Sequence, residues 1–308
     1  MRVVSRFFCA PGRSFLPTKS KDRAISFTTL EARIDAAAHR VLDSLPQQGI
    51  AAALVEFVVF GLKQAWACLF GGALLALIML SAILWPEGAR LARYDALFLA
   101  ALVIQAAMLG FKLEKPSEAL VIFIFHLVGT AMELFKTDAG SWTYPEDNIF
   151  RLGGVPLFSG FMYAAVGSYI ARATRIFDFR FTGYPPAWAT FLLAIAIYGN
   201  FFAHHFIWDF RLLLFAATAL LFWRCHVHYR VFRFRHRMNM LLGFFLVALF
   251  IWFAENIATA SKVWLYPSQK AGWQLVSFGK FSSWYLLMII SFVLVNLVHK
   301  PRPLASSP

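Results

Sequence analysis

Acidic residues are scarce in this sequence: 16 Asp and Glu stand beside 29 Lys and Arg and 34 Phe in 308 residues, and only 15% of the chain is charged. Ordinary globular domains carry about 25% charged residues. So few polar side chains cannot coat a soluble domain of this length, which excludes a soluble enzyme and a disordered chain alike. Cysteine is scarcer still. Cys9, Cys68 and Cys225 share no metal-type spacing and are odd in number, which excludes a disulfide scaffold and leaves no zinc site to read. The chain also lacks a glycine-rich phosphate loop, a G-x-S-x-G elbow and an H-E-x-x-H pair. Gly153, Gly154 and Gly160, around Val155-Pro156, read instead as close helix packing or a bend. The net charge of +13 is not gathered on one face, as nucleic-acid binding requires, but lies at the ends of apolar segments. Neither a nucleic-acid partner nor a cofactor is expected.

What remains is apolar: 60% of residues are hydrophobic, 17% are aromatic, and mean hydropathy is +0.63. Lipid is therefore the expected solvent for much of the surface. The expected fold is all-α, a polytopic bundle of about eight transmembrane helices. The spans run from Trp66 to Trp85, Asp95 to Phe111, Ser117 to Phe135, Gly154 to Ala173, Pro186 to Ala203, Phe210 to Trp223, Met240 to Ala258 and Leu275 to Val298. Ala51 to Leu62 is apolar enough to extend the first. With an inside amino terminus, 21 Lys and Arg fall on the inner side and 7 on the outer, Lys280 lying within the last span, so both termini are expected in the cytoplasm. No cleaved signal peptide is read. Residues 1–50 form a basic cytoplasmic tail in which Leu30, Ile34, Ala37, Val41 and Leu45 share one helical face. That face fits either an amphipathic helix on the inner membrane surface or a loosely ordered tail.

An internal repeat is the main signal. Glu133, Thr137, Trp142, Tyr144, Pro145 and Tyr163 match Glu255, Thr259, Trp264, Tyr266, Pro267 and Tyr285 at a constant offset of 122. Four spans fit in that offset, so the copies are expected to be parallel, related by an axis along the membrane normal. Residues 51–185 form the first repeat, 186–300 the second, and 301–308 a cytoplasmic tail. A carboxylate in a span belongs inside the bundle. Glu133 and Glu255 are thus expected to face each other as proton donor and charge stabiliser or as proton carriers, or else to tie down their loops by accepting from Thr137, Thr259, Trp142 or Trp264. His126, two helical turns before Glu133, either extends a polar track or is simply packed. Trp142, Tyr144, Trp264, Tyr266, Tyr163 and Tyr285 are expected around a substrate, and Lys280, which matches Phe158, beside a Glu as counter-ion. His204, His205 and Asp209 fall on the side opposite His226, His228 and His236, which argues against a shared di-iron centre. His205 and Asp209 still stand at metal-pair spacing. The segment from His226 to Arg237 reads as a basic loop among anionic headgroups.

The run from Gly129 to Ala173, GTAMELFKTDAGSWTYPEDNIFRLGGVPLFSGFMYAAVGSYIARA, resembles the hallmark segment of an uncharacterised bacterial integral membrane family, domain of unknown function 817. The resemblance extends over roughly Ile50 to His299 and implies a multi-span bacterial membrane protein, with no activity attached; the inner membrane is the expected location. In pattern, a duplicated bundle with an intramembrane Glu before an aromatic loop is also similar to small membrane carotenoid cyclases and hydratases, which implies protonation of a polyene. Three functions stay open: an intramembrane enzyme doing acid-assisted chemistry on an apolar lipid or isoprenoid, a proton-coupled transporter of a small molecule, and a noncatalytic scaffold.

Overall fold

The computed structural model describes residues 27–44, 48–86 and 88–304, with the backbone alone for Val41 and Leu42; Cys9, Leu45 and the last four residues lie outside that set. Among the described residues ten α-helices carry the fold: α1 (Thr29–Leu42), α2 (Gly49–Ala67), α3 (Leu69–Leu84), α4 (Arg93–Gly110), α5 (Pro116–Asp138), α6 (Phe158–Ile176), α7 (Ala187–Ala203), α8 (Arg211–Phe222), α9 (Met240–Ala260) and α10 (Phe278–Val298). Five of them, α2, α4, α5, α9 and α10, are long and apolar enough to cross a membrane, and α3, α7 and α8 are shorter apolar helices. The molecule is therefore an all-α membrane protein.

The helix limits follow from local chemistry. Pro116 opens α5, where its missing N–H is harmless. Both α5 and α9 close on a left-handed residue, Gly140 at φ +69° and Lys262 at φ +54°. There the Ser141 and Val263 N–H groups reach back five residues to Lys136 O and Ala258 O, satisfying otherwise orphaned carbonyls. The first apolar stretch is two helices rather than one extended span: Cys68, at ψ 5°, breaks the path between α2 and α3. The tail helix exists as α1, with a Thr28/Glu31 capping box. Its apolar residues Leu30 and Ile34 are exposed, while Glu31 turns inward.

Helix α6 packs against α5, α3 and α10; α10 packs against α9 and α7; α3 and α7 each pack on the helix that follows. The tightest seam is α5 on α6, because glycines let the axes close in. A Cβ on Gly129 would lie 2.8 Å from the Tyr163 ring, and one on Gly160 would lie 2.5 Å from both His126 Nδ1 and Thr130 Oγ1. Gly160→Ala is therefore expected to destabilise the protein by about 1–3 kcal/mol through overpacking. Thermal unfolding in detergent checks this, and a Gly160→Ala/His126→Ala double variant should recover part of the loss.

One end of the bundle, the sheet end, carries an antiparallel sheet that the sequence reading missed. It comprises β3 (Arg180–Thr182), β4 (His226–Arg230) and β5 (Arg235–Asn239), with β4 central. The segment read as a basic loop is therefore a hairpin, and Glu56 of α2 accepts from the Phe232 and Arg233 backbone N–H groups at its turn. Arg172 and Arg175, near the end of α6, are buried. Arg172 meets Glu114 at 3.5 Å, and Arg175 bridges Glu118, at 2.6 and 3.1 Å, to Glu31 of α1. Burial alone would raise the Asp178 carboxyl, but Arg235, Arg180 and Arg302 outweigh it and hold it below the usual carboxylate range.

The opposite, loop end holds two connections, 139–157 and 261–277. The first contains β1 (Arg151–Leu152) paired with β2 (Val155–Pro156) and hangs on Asp95, which accepts from the Ile149 and Phe150 N–H groups at 2.9 and 2.8 Å. The two connections touch through one antiparallel bridge. Thr143 N–H donates to Leu265 O at 3.0 Å, and Leu265 N–H donates to Thr143 O at 2.9 Å.

Candidate functional site

A cavity of about 960 Å³ runs between α2, α3 and α6 on one side and α9 and α10 on the other. Its wall is mostly aliphatic and aromatic, and its size lies at the upper end of the range for small-molecule sites, about 300–1,000 Å³. Trp142, Lys280 and Arg211 line it at the loop end, and Val227 and Tyr229 line it at the sheet end.

Glu133 and Glu255 sit in this wall, each 3% exposed. Trp142 Nε1 and Tyr144 OH both donate to Glu133 Oε2 at 2.7 Å, and Tyr163 OH donates to Oε1 at 2.7 Å. Around Glu255, Tyr266 OH donates to Oε1 and Trp284 Nε1 to Oε2 at 2.6 Å. The loops are thus tied back to the preceding helices through carboxylates, but of the four donors expected only Trp142 makes such a bond, Tyr144 and Tyr266 supplying the others from the loops. Burial and the neighbouring Glu133 carboxylate push the Tyr144 phenol well above its ordinary range, so it stays a donor at physiological pH. The matched pair Tyr144 and Tyr266 make the same bond in both places. Other matched pairs part company: Trp142 reaches its Glu whereas Trp264 only lines the cavity, and Tyr163 reaches its Glu whereas Tyr285 packs on Phe215 and Phe244. Trp284, which carries no repeat signal because its counterpart is Met162, takes the vacant position at Glu255.

Lys280 forms no ion pair within 4 Å among the described residues; it attracts Glu255 at longer range and makes cation–π contacts. Its Nζ lies 4.4 Å from the Tyr266 ring centroid and 5.4 Å from that of Trp142. Several expected residues lie off the cavity. His126 lies tilted against Phe161 at 4.5 Å at the α5/α6 seam, its Nδ1 buried beside Thr130 without a hydrogen-bond partner among the described residues. Thr137 Oγ1 is likewise buried and unpartnered among them, and Thr259 Oγ1 donates to Asn256 O and accepts from Trp273 Nε1. Among the described residues no carboxylate accepts from either threonine.

Two cavity cations escaped the sequence reading. Lys136 is 4% exposed, one turn beyond Glu133, and its Nζ lies 3.0 Å from His205 Nε2. Partial desolvation and then the nearby Lys136 cation push His205 below its ordinary range, so it meets Lys136 as a neutral acceptor. Arg211 opens α8, donates to Ser282 Oγ at 2.9 Å and pairs with Asp209 at 3.3 Å. Asp209 is also held by Asn200, so His205 and Asp209 turn to different partners and do not converge as metal ligands. Among the described residues no group of three or more His, Cys, Asp or Glu is placed to hold a metal ion.

The model of the protein family of unknown function DUF817 matches residues 56–292. The chain belongs to this family. A DUF817 relative, the uncharacterized protein YoaT of Bacillus subtilis (strain 168), is 44% identical over 243 residues, covering 79% of this chain and 91% of that protein. The crystal structure of a cross-linked MvINS trimer aligns with 62% of this DUF817 chain and 98% of its own, at a TM-score of 0.45 and 12% identity.

Proposed function

We propose that this DUF817 protein is a multi-pass protein of the bacterial inner membrane whose cavity carries a lipid-soluble molecule between the two ends of the bundle. The observation that carries this reading is the continuity of the mostly apolar wall from Lys280 and Trp142 to Val227 and Tyr229, which gives an apolar molecule a route past both carboxylates. In this reading α3 to α10 are the eight spans, with α3–α6 and α7–α10 as parallel repeats. Three features support the duplication: the helices have matching neighbours, α5 and α9 end in the same cap, and the bridge joins Thr143 to Leu265, residues 122 apart. An antiparallel bridge between equivalent residues is what an axis along the membrane normal generates. In this reading the sheet end is cytoplasmic, because 15 of the 23 Lys and Arg among the described residues belong to segments at that end.

Glu133 already accepts from three donors, two of them on Oε2, so its role here is to hold the wall in shape. Glu255, with one donor on each oxygen, retains more capacity to exchange a proton with its surroundings, and that asymmetry favours a second reading, acid-assisted chemistry on an apolar lipid or isoprenoid. One pair of measurements separates them. Proteoliposomes carrying the full chain are expected to move a short-chain fluorescent lipid between leaflets faster than protein-free vesicles do. If no such movement occurs, and a deletion strain accumulates a lipid that wild type clears and Glu255→Gln does not, carriage is overturned and the enzyme stands.

A further inference from the structure

The loop end of the cavity gathers three cations. Lys136, Lys280 and Arg211 all line it; Arg211 repels both lysines, and among the described residues the only carboxylates that act on them electrostatically are Asp209 on Lys136 and Glu255 on Lys280. Of the three, only Arg211 has an acidic partner within 4 Å among the described residues, Asp209. The other carboxylates in the wall are already engaged: Glu133 and Glu255 accept from tryptophan and tyrosine donors rather than from either lysine. The histidine nearest Lys136 contributes no counter-charge, since it accepts as a neutral ring.

Backbone electrostatics sharpen the imbalance. Lys280 stands in the first turn of α10 and Arg211 is the first residue of α8. Helix N-termini carry partial positive charge, so cations there are disfavoured and anions favoured. Two cations placed on two such termini, with a nearly buried lysine beside them, form an arrangement that an anion would complete. Below it lies an apolar cavity wall, from Met132 and Trp284 down to Phe244 and Phe292. A compact anion alone would leave that space unfilled.

We propose that Lys136, Lys280 and Arg211 bind the anionic headgroup, carboxylate or phosphate, of a single-chain lipid whose tail occupies the cavity. This assignment rests on the reading of the cavity as a lipid site and names the class of lipid. The headgroup accepts from the Lys136 and Lys280 ammonium groups, and the rings of Trp142 and Tyr266 hold Lys280 in place for it. Arg211, with its donors to Ser282 and Asp209, fixes the edge of the site.

The test is equilibrium binding to the detergent-purified full chain, using palmitate, hexadecyl phosphate, hexadecanol and inorganic phosphate as probes. Palmitate and hexadecyl phosphate are expected to bind, with hexadecanol about tenfold or more weaker, the loss of at least one charge-assisted hydrogen bond. Lys136→Met and Lys280→Met should each bring hexadecyl phosphate toward the hexadecanol value while leaving hexadecanol itself unchanged. Unchanged hexadecanol binding also shows that the variants are folded, and Lys280→Arg should retain anion preference. Equal binding of hexadecanol and hexadecyl phosphate to wild type would overturn the headgroup site and leave the apolar cavity reading standing. Inorganic phosphate binding as tightly as hexadecyl phosphate would overturn it in favour of a free-anion site. If none of the four probes binds, both readings fall.

Discussion

Arg175→Met is expected to remove about 3–5 kcal/mol of stability, because it leaves two buried carboxylates without their cation. Arg175 is nearly buried in α6 and is gripped from two sides, by Glu118 of α5 and Glu31 of α1. Its contact with Glu118 uses two guanidinium nitrogens, at 2.6 and 3.1 Å, a fork that an ammonium cannot copy. Arg175→Lys should therefore recover only part of the loss. Neutralising the orphans in Arg175→Met/Glu31→Gln/Glu118→Gln should recover more, since the penalty comes from uncompensated charge and not from a missing attraction. Thermal unfolding in detergent gives the ranking. Because Glu31 also accepts from Trp66 Nε1, α1 is tied to α2 as well, and limited proteolysis should cut α1 faster in the single variant. An Arg175→Met protein as stable as wild type would mean that this network does not hold the sheet end together.

Glu133→Ala is the second large effect. It strands Trp142 Nε1, Tyr144 OH and Tyr163 OH together, and each buried group left unsatisfied costs about 1–3 kcal/mol. The sum is reduced by any water that enters the space left behind. Glu255→Ala strands two donors rather than three and should cost less. Glu133→Gln, which keeps one acceptor oxygen but points an amide N–H₂ at a donor, should fall between wild type and Glu133→Ala. Unfolding midpoints of the three variants check this order. Equal destabilisation by Glu133→Ala and Glu255→Ala would sink the account of Glu133 as the more heavily used tether.

Sequence pattern reached far into this fold because lipid exposure writes long apolar runs that need no tertiary information. The eight apolar stretches read from it coincide with helices α3 to α10 to within a few residues at most ends, whereas α2, long and apolar enough to cross a membrane, reads only as an extension of the first. The sheet was hidden because its strands are rich in Arg and His, so that composition overwhelmed the alternation of β4, in which Val227 is buried between partly exposed His226 and His228. The buried pairing of Arg172 and Arg175 was illegible for a related reason: a charge near a helix end looks the same in sequence whether it meets headgroups or a buried Glu on another helix. At the site, the constant offset found Glu133, Glu255 and the tyrosine bonded to each. It was blind to Trp284, Lys136 and Arg211, each of which stands in one half without a counterpart of its kind in the other. Those are the residues that make the two halves chemically different.

The bridge between Thr143 and Leu265 consists only of main-chain bonds. Any residue except proline supplies the same donor and acceptor there, so the contact is indifferent to substitution. Side chains around it can then vary while the two loops stay in register. A joint with that tolerance lets the cavity wall beside it carry a cation at Lys280 and aromatic rings at Trp142 and Tyr266 without loosening the contact between the loops.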